Sequence, residues 1–446
     1  MAAERPAARP PFPDRRAALL LSLLAFLVYN ANFRIVGAGD SYPARFLPFA
    51  VWNHATFHLD PIREVTAQRN PNPYWIQPTP DGHWASLYPV VTPLLVAPLY
   101  LPAALWVRWT GETYEWMSWL GDLLEKLSAS LLAALAVGWM YLLLRRRLSR
   151  PDAALLTLAF AFATGTWATG SQALWQHGPA ELLMVGTLWF LDREELSTGG
   201  LLAAGALAGL MAANRPPDLL FTAAFGVYAL LRARWRAAWF AAAAAVPGLL
   251  AAAYNLAMFR RVSGGYGAIG IIGGDFFSHP LLRGIAGMLV SPGRGLFVYS
   301  PFLLFLPLFF HRVLADRSRR TLALCVTAGA LLQILLYAAS DWRGGFSYGY
   351  RFLTDMVPAL IWLLAPVLAT LGRPARAVFL AGCLLAVYAQ AVGAFKYTGI
   401  SDLVIYDPAD TGMRNVWKIE DAPILVEGRQ GRAPFSLLSE ALHPPP

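Results

Sequence analysis

Charge is scarce in this chain. Asp, Glu, Lys and Arg make up 14% of its 446 residues, against about 25% in an ordinary soluble domain. Hydrophobic residues make up 57%, and the mean hydropathy is +0.46. A soluble protein of that composition would have too little polar surface to cover itself. Cysteine is nearly absent. Cys325 and Cys383 both lie inside apolar runs, which excludes a disulfide framework and a cysteine-based metal site. The seven histidines are scattered without a recurring ligand spacing, so no metal-ligating set is expected. No phosphate-cradling glycine fingerprint stands between a strand and a helix, and Gly264–Gly267 and Gly273–Asp275 read as loop punctuation. Period-two alternation is missing from the apolar runs, which excludes a membrane β-barrel.

What is present is a series of long Leu/Ala/Val runs, the pattern of an all-α, polytopic membrane protein. The spans expected are 17–36, 122–144, 152–170, 178–191, 199–213, 216–231, 237–258, 296–311, 321–339, 352–371 and 376–394. A further apolar stretch, 87–107, carries Pro89, Pro93, Pro98 and Pro102, each of which removes a backbone donor that lipid cannot replace. Arg5, Arg9, Arg15 and Arg16 precede the first run, and no small-x-small site follows it before Asn30, so an uncleaved first helix is expected.

The net charge of +9 sorts by position. Arg145–Arg147 with Arg150, Arg232/Arg234/Arg236, Arg312/Arg317/Arg319/Arg320 and Arg373/Arg376 all end apolar runs. They share the cytoplasmic side only if 87–107 does not cross, which gives about eleven spans by the positive-inside rule. That use of charge points to a plasma (inner) membrane and away from nucleic acid. It leaves the unusual residues on the outer face, where loops carry function: the first outer loop 37–121, the 171–178 and 214–218 breaks, the Gly-rich 260–295 segment, 343–351, and an external tail over 396–446 that follows a transmembrane domain of 1–395.

Several side chains there carry candidate chemistry. Asp40, just beyond the first span, would suit a general base at the membrane interface; equally, it would cap the helix beginning near Pro43. Asp60 follows Phe57-His58-Leu59. His177 borders two apolar runs and reads either as a ligand for phosphate or sugar or as a solvated residue in an aromatic belt. Arg215 reads either as an anion ligand or as the partner of Asp218. Arg294, Arg343 and Arg351 stand among glycines and aromatics, including Tyr348. Arginine offers a planar fork matched to phosphate oxygens, and aromatics can stack on a sugar or an isoprenoid; the competing reading is arginine reaching up to lipid headgroups.

The order of these features resembles the GT-C superfamily of polyprenyl-phosphate-dependent glycosyltransferases, in particular its protein O-mannosyltransferase and aminoarabinose transferase branches. The resemblance rests on Asp40, Ala44-Arg45 and Leu59-Asp60 in the first loop, and on the Pro-rich Tyr88–Leu95. It continues through the span ending at Arg147, the second outer loop Ser171–Glu181, the Gly199–Leu231 pair of runs broken at Asn214–Asp218, and Tyr350-Arg351-Phe352-Leu353 before Pro358. The sequence departs from that pattern at Ser41, where an acid is usual, at Leu87-Tyr88, where a Lys is usual, and in the second loop, where Gln172, Gln176 and His177 replace an acid unless Glu181 serves. The resemblance implies a sugar donor on a polyprenyl-phosphate carrier, contact with membrane lipid, an external acceptor of unspecified class, and inverting transfer with Asp40 as base. It also implies Asp60, His177, Arg215, Arg294, Arg343, Tyr348 and Arg351 at the substrates, and an isoprenoid groove beside 321–371. No cofactor is required; a divalent cation is compatible. Two other classes fit the composition: a transporter or flippase, to which the break at Pro216-Pro217 is suited, and a non-catalytic assembly partner.

Overall fold

The computed structural model describes residues 12–66, 73–111, 113–268 and 277–430; the expected tail helix at 435–442 lies outside them. The chain opens with α1 (Phe12–Asn30). A long connection follows, made of α2 (Tyr42–His54), α3 (Asp60–Thr66), the antiparallel hairpin β1 (Ile76–Pro78) and β2 (Trp84–Ser86), and α4 (Val91–Thr110). Next come α5 (Tyr114–Leu144), α6 (Arg150–Phe162), α7 (His177–Leu191), α8 (Thr198–Asn214), α9 (Leu219–Ala233) and α10 (Ala237–Phe259). The short α11 (Gly264–Ala268) leads to α12 (Leu281–Val290) and to a broken run of α13 (Leu296–Tyr299), α14 (Phe305–Leu308) and α15 (Phe310–Ala315). The last long helices are α16 (Arg320–Ala338), α17 (Val357–Ala369) and α18 (Arg373–Lys396), and the tail adds α19 (Ile400–Ile405) and α20 (Pro423–Arg429).

Two expected spans are interrupted. In 152–170 the helix stops at Phe162. The Thr164 hydroxyl bonds the Phe160 carbonyl (2.6 Å), Gly165 N–H bonds the Tyr350 hydroxyl (2.9 Å), and the chain resumes as a π-helical turn over Thr166–Gly170. In 296–311, Pro301 and Pro307 cut the run into short pieces, as their missing donors require.

Small residues let helices touch backbone to backbone, the main means of packing where lipid supplies no hydrophobic drive between helices. A Cβ on Gly205 would stand 2.2 Å from the Phe240 carbonyl oxygen, and one on Gly209 would stand 2.3 Å from that of Ala244. These two glycines, one turn apart, seat α8 on α10. The outer sides of α1 (Leu19, Leu20, Leu27), α10 (Leu249, Leu250) and α18 (Leu384, Leu385) stay exposed, as a lipid-facing surface would.

The arginine clusters meet at one end of the bundle. Arg145 (3.2 Å) and Arg150 (3.0 Å) pair with Asp14, Arg147 pairs with Asp192 (2.8 Å) and Asp316 (2.8 Å), and Arg319 also pairs with Asp192. Arg376 pairs with Asp152, and Arg232 reaches the Glu194 carbonyl (2.8 Å).

At the opposite end, α4 is an unbroken helix despite Pro98 and Pro102, and by length and composition it could cross a membrane. Its contacts join it to the elements around it in the loop and to α5. It packs with α2, the hairpin and the start of α5 in a second hydrophobic cluster, separate from the main core. Trp52 Nε1 on α2 donates to the Ala97 carbonyl (2.6 Å), and Trp106 meets Trp116 of α5 at 6.1 Å between ring centroids. Arg45 on α2 pairs with Asp122 and with Glu125 (2.5 Å) of α5. Both ends of α4 are thus tied to the part of α5 far from the arginine end.

Candidate functional site

Asp40 follows α1 at the start of the connection that leads to α4. Its expected role as a helix cap is not what the structure holds: α2 has Ser41 at its N-terminus and makes no side-chain cap there. The Asp40 carboxylate instead accepts from Arg351 Nη1 (2.7 Å) on one oxygen, and from Tyr88 (2.7 Å) and Tyr74 (3.3 Å) hydroxyls on the other. The hairpin brings these tyrosines together, because its strands start just after Tyr74 and end just before Tyr88. Tyr88, which stands where the resembling families carry Lys, is therefore a donor to the acid. Burial pushes the Asp40 carboxyl up, but Arg351, the Tyr88 hydroxyl and the neighbouring His177 outweigh it and hold it below the ordinary 3.8. Its side chain keeps 28% exposure, enough for a ligand to reach.

Arg351 lies at the end of the Arg343–Arg351 loop, which turns at Gly344, Gly345 and Gly349 with φ of 79°, 68° and 65°. Only glycine adopts these values without strain. Its guanidinium sits 4.7 Å over the Trp175 ring, and its Nε is shut off from water with no hydrogen-bond partner. Arg351 is therefore not at a lipid headgroup, and one of its donors is unused.

Behind this pair lies a buried set. His177 is 1% exposed, not solvated, and its Nδ1 stands 2.6 Å from Asp355 Oδ1. Arg215 pairs with the other Asp355 oxygen rather than with Asp218, and donates to the Tyr337 hydroxyl (2.5 Å). With a carboxylate as acceptor, Nδ1 carries the proton and Nε2 is left as an acceptor. Burial and the charges of Arg215 and Arg351 depress His177 to about 4 against the pull of Asp355, which favours the uncharged ring near neutral pH. Asp355 was not among the residues singled out from sequence. Its signal was an acid inside the apolar run 352–371, which is costly unless used. Glu181 is buried against the Thr166 hydroxyl (2.7 Å) rather than placed beside Asp40.

Four of the candidate residues thus gather: Asp40, His177, Arg215 and Arg351. Four do not. Arg294 is buried in an ion pair with Asp402 of the tail. Arg343 pairs with Asp341 (2.8 Å) and stacks 4.2 Å over the Tyr406 ring. Tyr348 is buried and donates to the Ala389 carbonyl (2.7 Å). Asp60 accepts from Trp84 N–H (3.0 Å) and stands 3.2 Å from His83 Nδ1. With His58 these two form a His/Asp/His group, although the histidine spacing along the chain pointed to no such set.

A divalent cation does not suit Asp40. Both its oxygens already face donors, and Arg351 supplies the positive charge. Among the described residues, no His, Cys or second carboxylate gathers there in ligand geometry.

An apolar cavity of about 890 Å³ opens between the start of α4, the end of α8 and the C-terminal half of α10. It does not lie beside 321–371, where the sequence placed a groove. Tyr88, Pro216 and Tyr266 are among its walls. Tyr88 bonds Asp40, Pro216 adjoins Arg215, and Tyr266 feels the charges of Asp40 and Arg351. The apolar groove therefore shares the Tyr88 wall with the charged cluster.

No family model and no curated protein matches the sequence. Solved structures match the fold. ArnT from Cupriavidus metallidurans, solved bound to undecaprenyl phosphate, aligns with a TM-score of 0.52 at 14% identity, over 97% of this chain and 77% of that one. The archaeal oligosaccharyltransferase AglB from Archaeoglobus fulgidus, solved with an inhibitory peptide and a dolichol-phosphate, aligns with a TM-score of 0.53 at 13% identity, over 86% of this chain and 56% of that one. The chain therefore shares the many-helix fold of these two structures, the fold class that the order of its motifs implies.

Proposed function

We propose that this protein is a membrane glycosyltransferase that moves a sugar from a polyprenyl-phosphate carrier to an acceptor on the outer face of the inner membrane, with inversion. The observation that carries the reading is the junction of an apolar groove of about 890 Å³ with the Asp40–Arg351 pair, through the shared wall residue Tyr88. A groove of that size falls in the upper part of the usual ligand-site range of about 300–1,000 Å³. Its apolar walls suit an isoprenoid, and the cluster that shares the Tyr88 wall suits the phosphate and sugar. The likeness to ArnT and AglB, each solved with a polyprenyl-type phosphate, supports the same choice.

In this reading an acceptor oxygen attacks the anomeric carbon as the bond from that carbon to the phosphate oxygen breaks. The electron pair leaves on the phosphate, and the acceptor proton passes to Asp40. Arg351, through its unused Nε, and Arg215 stabilise the growing phosphate charge. His177 and Asp355 hold Arg215 in place. As the phosphate gains charge it draws Arg351 away from Asp40, so the carboxylate becomes more basic when the proton must move. Asp40 is preferred over His177 as the base because it is reachable, whereas His177 is enclosed.

The test is Asp40→Asn assayed with a radiolabelled membrane-lipid extract as donor. Transfer should drop by about 10²–10⁴-fold while the thermal unfolding temperature stays close to that of the parent. Transfer at the parent rate would remove Asp40 from the base role.

A further inference from the structure

His58, Asp60 and His83 come from two separate parts of the outer loop, and one ligand atom from each lies within 4.8 Å of the other two. The backbone forces the meeting. Leu59 N–H donates to the Trp84 carbonyl (2.7 Å), His58 forms an antiparallel bridge with Ala85, and the turn closing the hairpin ends at His83, whose carbonyl accepts from Thr79 N–H (2.7 Å). The imidazole centroids of His58 and His83 are 4.3 Å apart, tilted by 36°. His83 Nδ1 stands 3.2 Å from Asp60 Oδ2, close to the edge of about 3.4 Å that a tetrahedral ion with bonds of about 2.1 Å would impose. His58 Nδ1 is out of contact with water and has no hydrogen-bond partner. The second Asp60 oxygen is fixed by Trp84 N–H (3.0 Å), the outer-shell support typical of a metal-bound carboxylate.

We infer that His58, Asp60 and His83 form a divalent transition-metal site, best suited to zinc, that clips the outer loop together. Two imidazoles and one carboxylate are a donor set suited to zinc and poorly suited to calcium or magnesium. The His83 side chain is 54% exposed and that of Asp60 31%, so water can complete the shell. The ion would bind the start of α3 and the segment ahead of it to the hairpin that presents Tyr74 and Tyr88 to Asp40. Its role is structural, since Asp40 keeps its own donors and contributes no ligand.

The test uses the full chain carrying a tag without histidine, stripped with chelator and then titrated with zinc chloride. One zinc per chain should remain after gel filtration, with a rise in thermal unfolding temperature. Cobalt should give the visible bands of a four-coordinate ion. His83→Ala, at an exposed position that should not disturb folding, and His58→Ala should each weaken zinc binding by more than about 100-fold, the upper end of the cost of losing an outer-shell partner, and should abolish the thermal shift. A parent protein that retains no zinc, or a His58→Ala/His83→Ala double variant that binds it as tightly, overturns the assignment. Neither measurement depends on sugar transfer, so its failure leaves the proposed activity standing, and the reverse also holds.

Discussion

Asp40 meets three donors before any substrate arrives, and that sets its response to pH. Its carboxyl sits below the ordinary 3.8 because Arg351 and Tyr88 outweigh burial. The ionised form is therefore the resident one, and the stability it contributes is present above that value and lost as pH falls through the lowered one. Transfer by the parent protein should show no acid limb above the ordinary carboxylate value. In Arg351→Gln the charge is gone while burial remains, so the acid limb should move upward in pH, and affinity for the lipid-phosphate donor should fall. A residual pH–rate profile with an unmoved acid limb would separate Arg351 from Asp40. Asp355 is open to a stability test. It is the shared partner of buried His177 and Arg215, so Asp355→Ala leaves a buried arginine unpaired and should cost about 3–5 kcal/mol, read by thermal or denaturant unfolding. These partnerships also mark what sequence could tell. Asp40, His177, Arg215 and Arg351 were legible because each is a polar group beside an apolar run. Tyr88 and Asp355 were not chosen, because their roles come from partners far along the chain. Arg351 meets Asp40 across 311 positions and Asp355 meets His177 across 178, and no local pattern records such pairings.

Among the elements, helices were legible wherever an apolar run had no competing hydrogen bond, as in α5, α16 and α18. They failed where side chains or prolines intervened, at Thr164 and at Pro301. The contact of α8 with α10 tests a feature that composition hides, because an Ala/Gly-rich run looks featureless. Gly205→Val and Gly209→Val each place side-chain carbons where the facing carbonyls already stand. Overpacking of this kind costs about 1–3 kcal/mol, and α10 also forms one wall of the apolar groove. Both variants should lower the thermal unfolding temperature and weaken donor binding, whereas Gly226→Ala, whose Cβ would meet only the Phe240 ring at an ordinary 3.7 Å, should do neither. The tail braces the molecule from within. Arg294, chosen as a phosphate ligand, instead anchors Asp402, while Glu427 accepts from the Ser401 (2.7 Å) and Thr398 (2.8 Å) hydroxyls. This arrangement buttresses the Arg343–Arg351 loop from behind, since Arg294 also donates to the Arg343 carbonyl (2.6 Å). Arg294→Met should therefore lower stability more than it lowers donor affinity, the reverse of Arg351→Gln.

For the whole molecule, orientation decides whether the Asp40 cluster faces outward. Clusters of arginine at α5–α6, α9, α15–α16 and α18 meet at one end, and the cytoplasmic side holds such clusters in general. Asp40, the hairpin and both ends of α4 lie at the other end. The length and composition of α4 alone would let it cross, and a crossing would reverse the position of every cluster after it. Both native cysteines are buried, so single introduced cysteines can report sidedness by labelling with a membrane-impermeant maleimide. Asp81→Cys, beside the hairpin turn, and Trp109→Cys, 80% exposed at the end of α4, should label in intact cells. Arg234→Cys, in the connection between α9 and α10, should label only after permeabilisation. If Asp81→Cys and Arg234→Cys label together and apart from Trp109→Cys, then α4 crosses and the α2–α4 cluster is not an outer-face unit. If Arg234→Cys alone stays protected, all four arginine clusters face the cytoplasm, and the groove beside α10 opens toward the outer leaflet, where an externally facing polyprenyl-phosphate sugar would have to enter.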